Sequence, residues 1–154
     1  MRRTILLLTA MAVAVLLAAG LALAADVTCG GYCEGTTGDD AMAGSASEDQ
    51  MYGIGGDDTM YGTNGADSMW GDWHQVVDTG EPGSDAMNGG SGPDRLLGDE
   101  RTDTLNGGRG NDRIEAKDGE LDHVNCGRGT KDVAFFDRGI DEVRNCEIKN
   151  PQVG

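Results

Sequence analysis

The sequence predicts an all-β solenoid, a stack of short strands with disulfide-closed ends, and three phased observations predict the stack. Gly recurs every nine residues at Gly35, Gly44, Gly53, Gly62, Gly71, Gly80, Gly89, Gly98 and Gly107. Five residues after each Gly stands Asp40, Asp49, Asp58, Asp67, Asp85, Asp94, Asp103 or Asp112, with Val76 the one exception. Two residues further on stands Met42, Met51, Met60, Met69, Met87, Leu96, Leu105 or Ile114, with Asp78 the one exception. A generic Gly/Asp-rich linker would not hold three positions in phase over residues 35–115.

Each unit reads as a tight turn followed by a short strand. Gly at the first place, and at the fourth in Gly38, Gly56, Gly65, Gly83, Gly92 and Gly110, permits positive φ and lets backbone carbonyls turn toward a common point. The Asp supplies a hard, anionic oxygen. A triplet such as Thr59-Met60-Tyr61 makes one short strand whose central side chain points inward while its flanks point outward. One unit cannot bury its single apolar side chain alone, so units must stack.

The N-terminus is read apart from the repeat. Arg2 and Arg3 precede an almost wholly apolar run from Ile5 to Leu23, and Ala22-Leu23-Ala24 is a small-x-small site just before Asp26. That layout predicts a secretory signal peptide over residues 1–24 and an extracellular location. The run is long enough for a membrane anchor, but no polar stop-transfer flank follows it, so no membrane span is expected after cleavage. Asp26-Val27-Thr28 before Cys29 argues against a lipid-anchored N-terminus.

Charge then bounds the partners. The chain carries a net charge of −15, and removing residues 1–24 takes away Arg2 and Arg3 and no acid, which leaves −17. Such a chain repels nucleic acid and anionic membrane surfaces and attracts cations. Much of its hydrophobic content sits in residues 1–24, so a conventional core is not expected. High charge with low hydrophobicity requires some further term to hold a fold together. The four cysteines, Cys29, Cys33, Cys126 and Cys146, are an even set behind an export signal, which points to disulfides. Three pairings are possible, of which spacing favours Cys29–Cys33 and Cys126–Cys146; a zinc site with four thiolates is the rival, for which closer CxxC pairs would be expected.

Gly89-Gly90-Ser91-Gly92-Pro93-Asp94-Arg95-Leu96-Leu97 and Gly107-Gly108-Arg109-Gly110-Asn111-Asp112-Arg113-Ile114-Glu115 match, at every defined position, the GGxGxDxUx nonapeptide. In this the sequence resembles the RTX, or hemolysin-type calcium-binding, family, well over residues 35–115 and more weakly toward the C-terminus. The resemblance implies a parallel β-roll with two units per turn and several Ca2+ ions between neighbouring turns, held by repeat Asp carboxylates and turn carbonyls. The implied metal residues are Asp40, Asp49, Asp58, Asp67, Asp85, Asp94, Asp103 and Asp112 with Gly35, Gly44, Gly53, Gly62, Gly89, Gly98 and Gly107. These oxygen donors suit calcium, which takes 6–8 of them in a flexible shell.

With two units per turn, equivalent positions lie 18 residues apart. One column is then Asp49, Asp67, Asp85 and Asp103; the other is Asp40, Asp58, Val76, Asp94 and Asp112. Calcium sites beside Val76 are expected to be weak or missing unless Asp72 or Asp78 supplies a ligand. Five of the eight inward residues are Met, which specifies packing loosely, so metal is expected to hold the fold more than side-chain packing does. Without ions the stacked carboxylates repel one another and the chain is expected to be largely disordered.

The remaining segments complete the layout: an N-terminal cap over 25–34, and degenerate repeats with a C-terminal cap over 116–154. In the latter, Asp122, Asp132 and Asp141 each begin an acid-x-apolar triplet, and Phe135 and Phe136 are expected to cover the open end. Tyr52 and Trp70 fall 18 residues apart on one outer face, with Tyr61 on the other; cross-strand aromatic packing and an exposed platform for sugar or protein are both open. His74 and His123 lack metal-ligand spacing, and no HExxH, GxSxG or P-loop pattern occurs. The expected function is therefore a secreted calcium-binding protein, not an enzyme. The alternative is a calcium-rigidified cell-surface or matrix interaction module with a glycan or protein partner.

Overall fold

The structure, a computed structural model, describes residues 26–72 and 81–152. The expected signal peptide over 1–24, and Val76, Asp78, Gly80 and His74, lie outside the described residues. Among the described residues no helix is long and apolar enough to cross a membrane.

Among the described residues fourteen strands form two parallel seven-stranded sheets, and consecutive strands alternate between them. The first sheet contains, side by side, β1 (Asp26–Thr28), β3 (Ala41–Ala43), β5 (Thr59–Asn64), β7 (Ala86–Ser91), β9 (Thr104–Arg109), β11 (His123–Asn125) and β13 (Glu142–Arg144). The second contains β2 (Tyr32–Glu34), β4 (Gln50–Ile54), β6 (Ser68–Asp72), β8 (Arg95–Leu97), β10 (Arg113–Ala116), β12 (Val133–Asp137) and β14 (Ile148–Gln152). Two strands and two turns thus make one coil of a parallel β-roll. Because every strand pairs with the next coil, each inward side chain sits on its equivalent one coil away, about 4.8 Å distant.

That geometry builds the core from two facing columns. Val27, Met42, Met60, Met87, Leu105, Val124 and Val143 are register partners along the first sheet. Cys33, Met51, Met69, Leu96, Ile114 and Ala134 are partners along the second. From Met42 to Ala134 every member of both columns is at most 2 % exposed. All eight inward positions predicted from the repeat are therefore core.

The predicted register fails at one place, between β6 and β7. β4 pairs with β6 at a spacing of 18, as Met51↔Met69, but β5 pairs with β7 as Met60↔Met87 and β6 with β8 as Met69↔Leu96. Those two spacings are 27, so the nine residues in excess fall between β6, which ends at Asp72, and β7, which begins at Ala86. The coil expected to begin at Gly71 is therefore not a coil of its own; in the roll its Asp78 would have placed a charge in the apolar column. The expected columns are corrected accordingly. Asp85 follows Asp58, and Asp94 follows Asp67, so neither column has a gap where Val76 was expected to leave one.

Both end segments contribute coils of the same roll: β1 and β2 at the start, β11 to β14 at the finish. The cysteines form two disulfides, Cys29–Cys33 and Cys126–Cys146, and no free cysteine remains, which removes the tetrathiolate zinc alternative. Tyr52 and Trp70 stack at 4.5 Å with an interplanar angle of 11°, and Tyr32 leans on Tyr52 at 5.6 Å. Tyr52 is buried, and its ring faces are engaged by its neighbours, so this ladder is cross-strand packing. Tyr61 is exposed on the opposite face, as expected. Phe136 packs against the core, whereas Phe135 does not cover the end; it lies outside the second sheet under the Arg113 guanidinium, 4.1 Å from its ring centre.

Candidate metal centre

Two columns of Asp run the length of the roll, one along each edge, and all but the half-buried Asp141 are buried. Along the edge formed by turns leaving the first sheet stand Asp49, Asp67, Asp94, Asp112 and Asp132. Along the other stand Asp40, Asp58, Asp85, Asp103, Asp122 and Asp141. In each column the Oδ1 of one Asp accepts the backbone N–H of the Asp one coil earlier, at 2.8–3.0 Å from Asp40→Asp58 through Asp122→Asp141. One carboxylate oxygen is thus committed to holding adjacent coils in register.

The second oxygen is left over. Oδ2 of Asp58, Asp67, Asp85, Asp94, Asp103, Asp112, Asp122 and Asp132 is buried and accepts no hydrogen bond. A buried carboxylate oxygen without a partner is costly unless something else satisfies it. The first two coils differ: Asp49 accepts Gly31 N–H on Oδ1 and Ser45 N–H on Oδ2, both at 2.6 Å, and Asp40 Oδ2 accepts the Thr36 N–H.

The repeat glycines show what the leftover oxygens face. A Cβ built on Gly53 would collide with Asp58 Oδ2 and lie 2.5 Å from the carbonyl oxygen of Gly71, one coil on. The same pair of oxygens, the Oδ2 of its own turn and the carbonyl of the next coil, meets a Cβ at Gly35, Gly44, Gly62, Gly71, Gly89 and Gly107. These first-position glycines have no positive φ, contrary to the expectation from sequence; space for converging oxygens requires them. Positive φ belongs to the second and fourth places, as at Gly90 (101°) and Gly92 (132°). At Gly98 the Asp103 carboxylate is close.

Electrostatics agree with a cation-seeking array. Burial pushes the Asp103 carboxyl up to about 9 and Asp58 up to about 8, with the neighbouring carboxylates adding to the rise and the backbone donor opposing it. Burial likewise raises Asp85, Asp94 and Asp122 to about 7 and Asp112 to about 6. For Asp49 burial acts upward too, but the Ser45 and Gly31 N–H donors outweigh it and the carboxyl ends below its usual range.

All eight Asp predicted from the repeat stand in the two columns. Six of them carry an unpaired Oδ2, while Asp40 and Asp49 have theirs hydrogen-bonded. Sequence reasoning missed Gly71 as a cradle residue and Asp122, Asp132 and Asp141 as column members. Asp122 and Asp132 were visible as acid-x-apolar triplets; Gly71 was hidden because its Asp partner, Asp85, lies 14 residues on instead of five. His123 pairs with Glu142 on the exposed face and does not join the array.

No group of three or more His, Cys, Asp or Glu side chains converges on a metal position among the described residues. A cation here would therefore be held by one or two carboxylates together with backbone carbonyls, a hard-oxygen set that fits Ca2+. It offers nothing to an ion that prefers nitrogen or sulfur. The family model for the RTX calcium-binding nonapeptide repeat (4 copies) matches residues 34–69 and 79–114. The interruption, residues 70–78, falls where the register spacing rises from 18 to 27. No curated protein and no solved structure matches the chain significantly.

Proposed function

Because the chain belongs to the RTX calcium-binding nonapeptide repeat family and so binds several Ca2+ ions, we propose that it is an extracellular scaffold whose β-roll folds as those ions fill the two Asp columns. The ligands are Oδ2 of Asp58, Asp67, Asp85, Asp94, Asp103, Asp112, Asp122 and Asp132, with the carbonyl oxygens of Gly71, Gly89, Gly98, Gly107 and Cys126 from the next coil. The observation that carries this reading is the run of eight buried, unpaired Oδ2 atoms in the two columns. Bound calcium supplies positive charge between coils and satisfies these oxygens.

The chain's own residues do the remainder. The Oδ1 hydrogen bonds hold each carboxylate at the coil boundary, and the glycines keep the space open. Asp40 and Asp49 fill weakly, since an ion there must displace a backbone N–H. Ions that bind the folded roll and not the unfolded chain convert binding free energy into folding free energy. An extracellular location is supported by the apolar N-terminal segment and by two disulfides in one small chain. The chain has no catalytic role of its own in this reading; its buried carboxylates serve the columns, apart from Asp72, whose Oδ1 accepts the Gly83 N–H. A second reading, a calcium-rigidified interaction module for a cell envelope or matrix, is favoured by the crowding of basic residues into one part of the chain.

The test is a calcium titration of residues 25–154 followed by far-UV circular dichroism, with magnesium and EGTA controls. A cooperative coil-to-β transition, reversed by chelator and not reproduced by magnesium, is the expected result. A spectrum already β-rich in EGTA and indifferent to calcium would refute the coupling.

A further inference from the structure

Every Lys and Arg beyond residue 24 lies between Arg95 and Lys149, and the fold sorts those cations around the roll. On the edge made by turns leaving the first sheet, Arg109, Arg128 and Lys131 are exposed, and none forms an ion pair among the described residues. Arg109 and Arg128 are bridge partners on adjoining coils, so their charges repeat at the coil spacing of about 4.8 Å. Arg95 and Arg113 continue the strip as register partners at the start of the next strands. They share a single acid, Glu115, at 3.2 and 2.9 Å.

The acids are sorted the other way. From residue 62 to residue 132 the turns of this edge expose no carboxylate: their four acids, Asp67, Asp94, Asp112 and Asp132, are all buried in the ligand column. On the opposite edge Asp39, Asp57, Asp99, Glu100, Asp118 and Glu120 outnumber Arg101, Lys117 and Arg138. Without ions, the buried column directly beneath the strip cancels its field. With ions bound, the local sign is set by the metal and by the cations above it.

We propose that this edge is a docking strip for an anionic polysaccharide, and that calcium loading turns it on. The proposal rests on the calcium reading above. Guanidinium groups match sulfate, phosphate and carboxylate oxygens in a planar fork. A row of them at a fixed pitch suits a linear chain that carries repeated charge and gains avidity from several weak contacts. The acidic opposite edge repels the same polymer, so binding is one-sided.

Dextran sulfate is the probe, with neutral dextran as control, titrated calorimetrically into the calcium-loaded full chain while circular dichroism follows the fold. The expected result is binding that weakens with salt and falls about tenfold or more in R109E/R128E. R101E/R138E on the opposite edge should stay within about twofold, and the calcium-induced transition should be unchanged in both variants. An intact calcium transition without dextran sulfate binding would overturn the strip and leave the calcium reading standing. So would an equal loss in both variants, or self-association of the calcium-loaded chain that R109E/R128E abolishes and dextran sulfate does not compete with, which would assign the edge to a second copy. Absence of any calcium transition would overturn the calcium reading, and the gating with it.

Discussion

The backbone N–H of Asp58 donates to Oδ1 of Asp85 at 2.8 Å, across 27 residues of chain. Everywhere else in the matched repeats except at Asp67→Asp94, the same bond spans 18. The column therefore closes over an inserted unit. Deleting residues 73–81 would join Asp72 to Pro82 and restore a six-residue turn from Gly71 to Asp85. The expected outcome is an unchanged calcium transition by circular dichroism with equal or higher thermal stability, since a shorter loop costs less to close. Loss of the transition would mean that the unit belongs in the roll.

Gly53 and Gly30 separate space from flexibility. A Cβ on Gly53 meets the Asp58 carboxylate and the Gly71 carbonyl, whereas one on Gly30 meets nothing within 4 Å. Gly53→Ala is expected to remove an ion from the stoichiometry measured by calorimetry and to destabilise the calcium-loaded roll by about 1–3 kcal/mol through overpacking. Gly30→Ala should be close to silent in both measurements.

The raised carboxyls fix the sign of the pH dependence. A carboxyl whose folded pKa exceeds its unfolded value, such as Asp103 near 9 or Asp58 near 8, favours the ion-free fold below about pH 4, where both states are protonated. That contribution is lost as pH rises from about 4 through the folded values. The ion-free chain is therefore expected to be more structured at pH 5 than at pH 8. Calcium binding, which needs the carboxylates, should weaken as pH falls from 8 to 5. Calcium titrations followed by circular dichroism at pH 8 and pH 5 read both effects; an ion-free chain no more structured at pH 5 than at pH 8 would contradict the raised values.

Asp103→Asn tests the division of labour between the two oxygens. Asn keeps an acceptor for the Asp85 N–H and removes the buried charge. In EGTA at pH 8 the variant is expected to be more structured than the parent, because a desolvated, repelled carboxylate is gone. In calcium it should bind more weakly and with a shallower transition. Opposite behaviour in EGTA would mean that the carboxylate is already compensated in the ion-free fold.

The Cys126–Cys146 disulfide closes a segment of sequence separation 20 and joins the ends of β11 and β13. Chain-entropy arguments give such a closure about 3 kcal/mol. Replacing both residues by Ala should shift the calcium midpoint upward without abolishing the transition, since the two ligand columns remain. Circular dichroism at matched calcium concentrations checks this.

Much of the molecule is legible in its amino-acid sequence. The eight inward residues from Met42 to Ile114, the eight Asp from Asp40 to Asp112 and the local disulfides follow from phase and spacing, because a solenoid repeats one local solution and each residue's role depends on its place in the unit. The chemistry is legible for the same reason: an oxygen-rich, Gly-opened turn admits few readings other than a hard cation.

Tertiary structure decided what repetition conceals. Residues 71–79 have the length of a unit, so a purely linear count cannot tell a coil from an insertion; only strand pairing, which buries Met60 on Met87, chose between them. The same pairing recruited Gly71, Asp122 and Asp132, whose partners are set by neighbouring coils and not by neighbours in sequence. It also showed Asp40 and Asp49 to be hydrogen-bonded within their own turns, and sorted the cations onto one edge. Sequence determined the unit and its ions. Which units stack, and which carboxylates are left with an oxygen to spare, follow from contacts between residues 18 to 27 apart, where burial and not local propensity makes the choice.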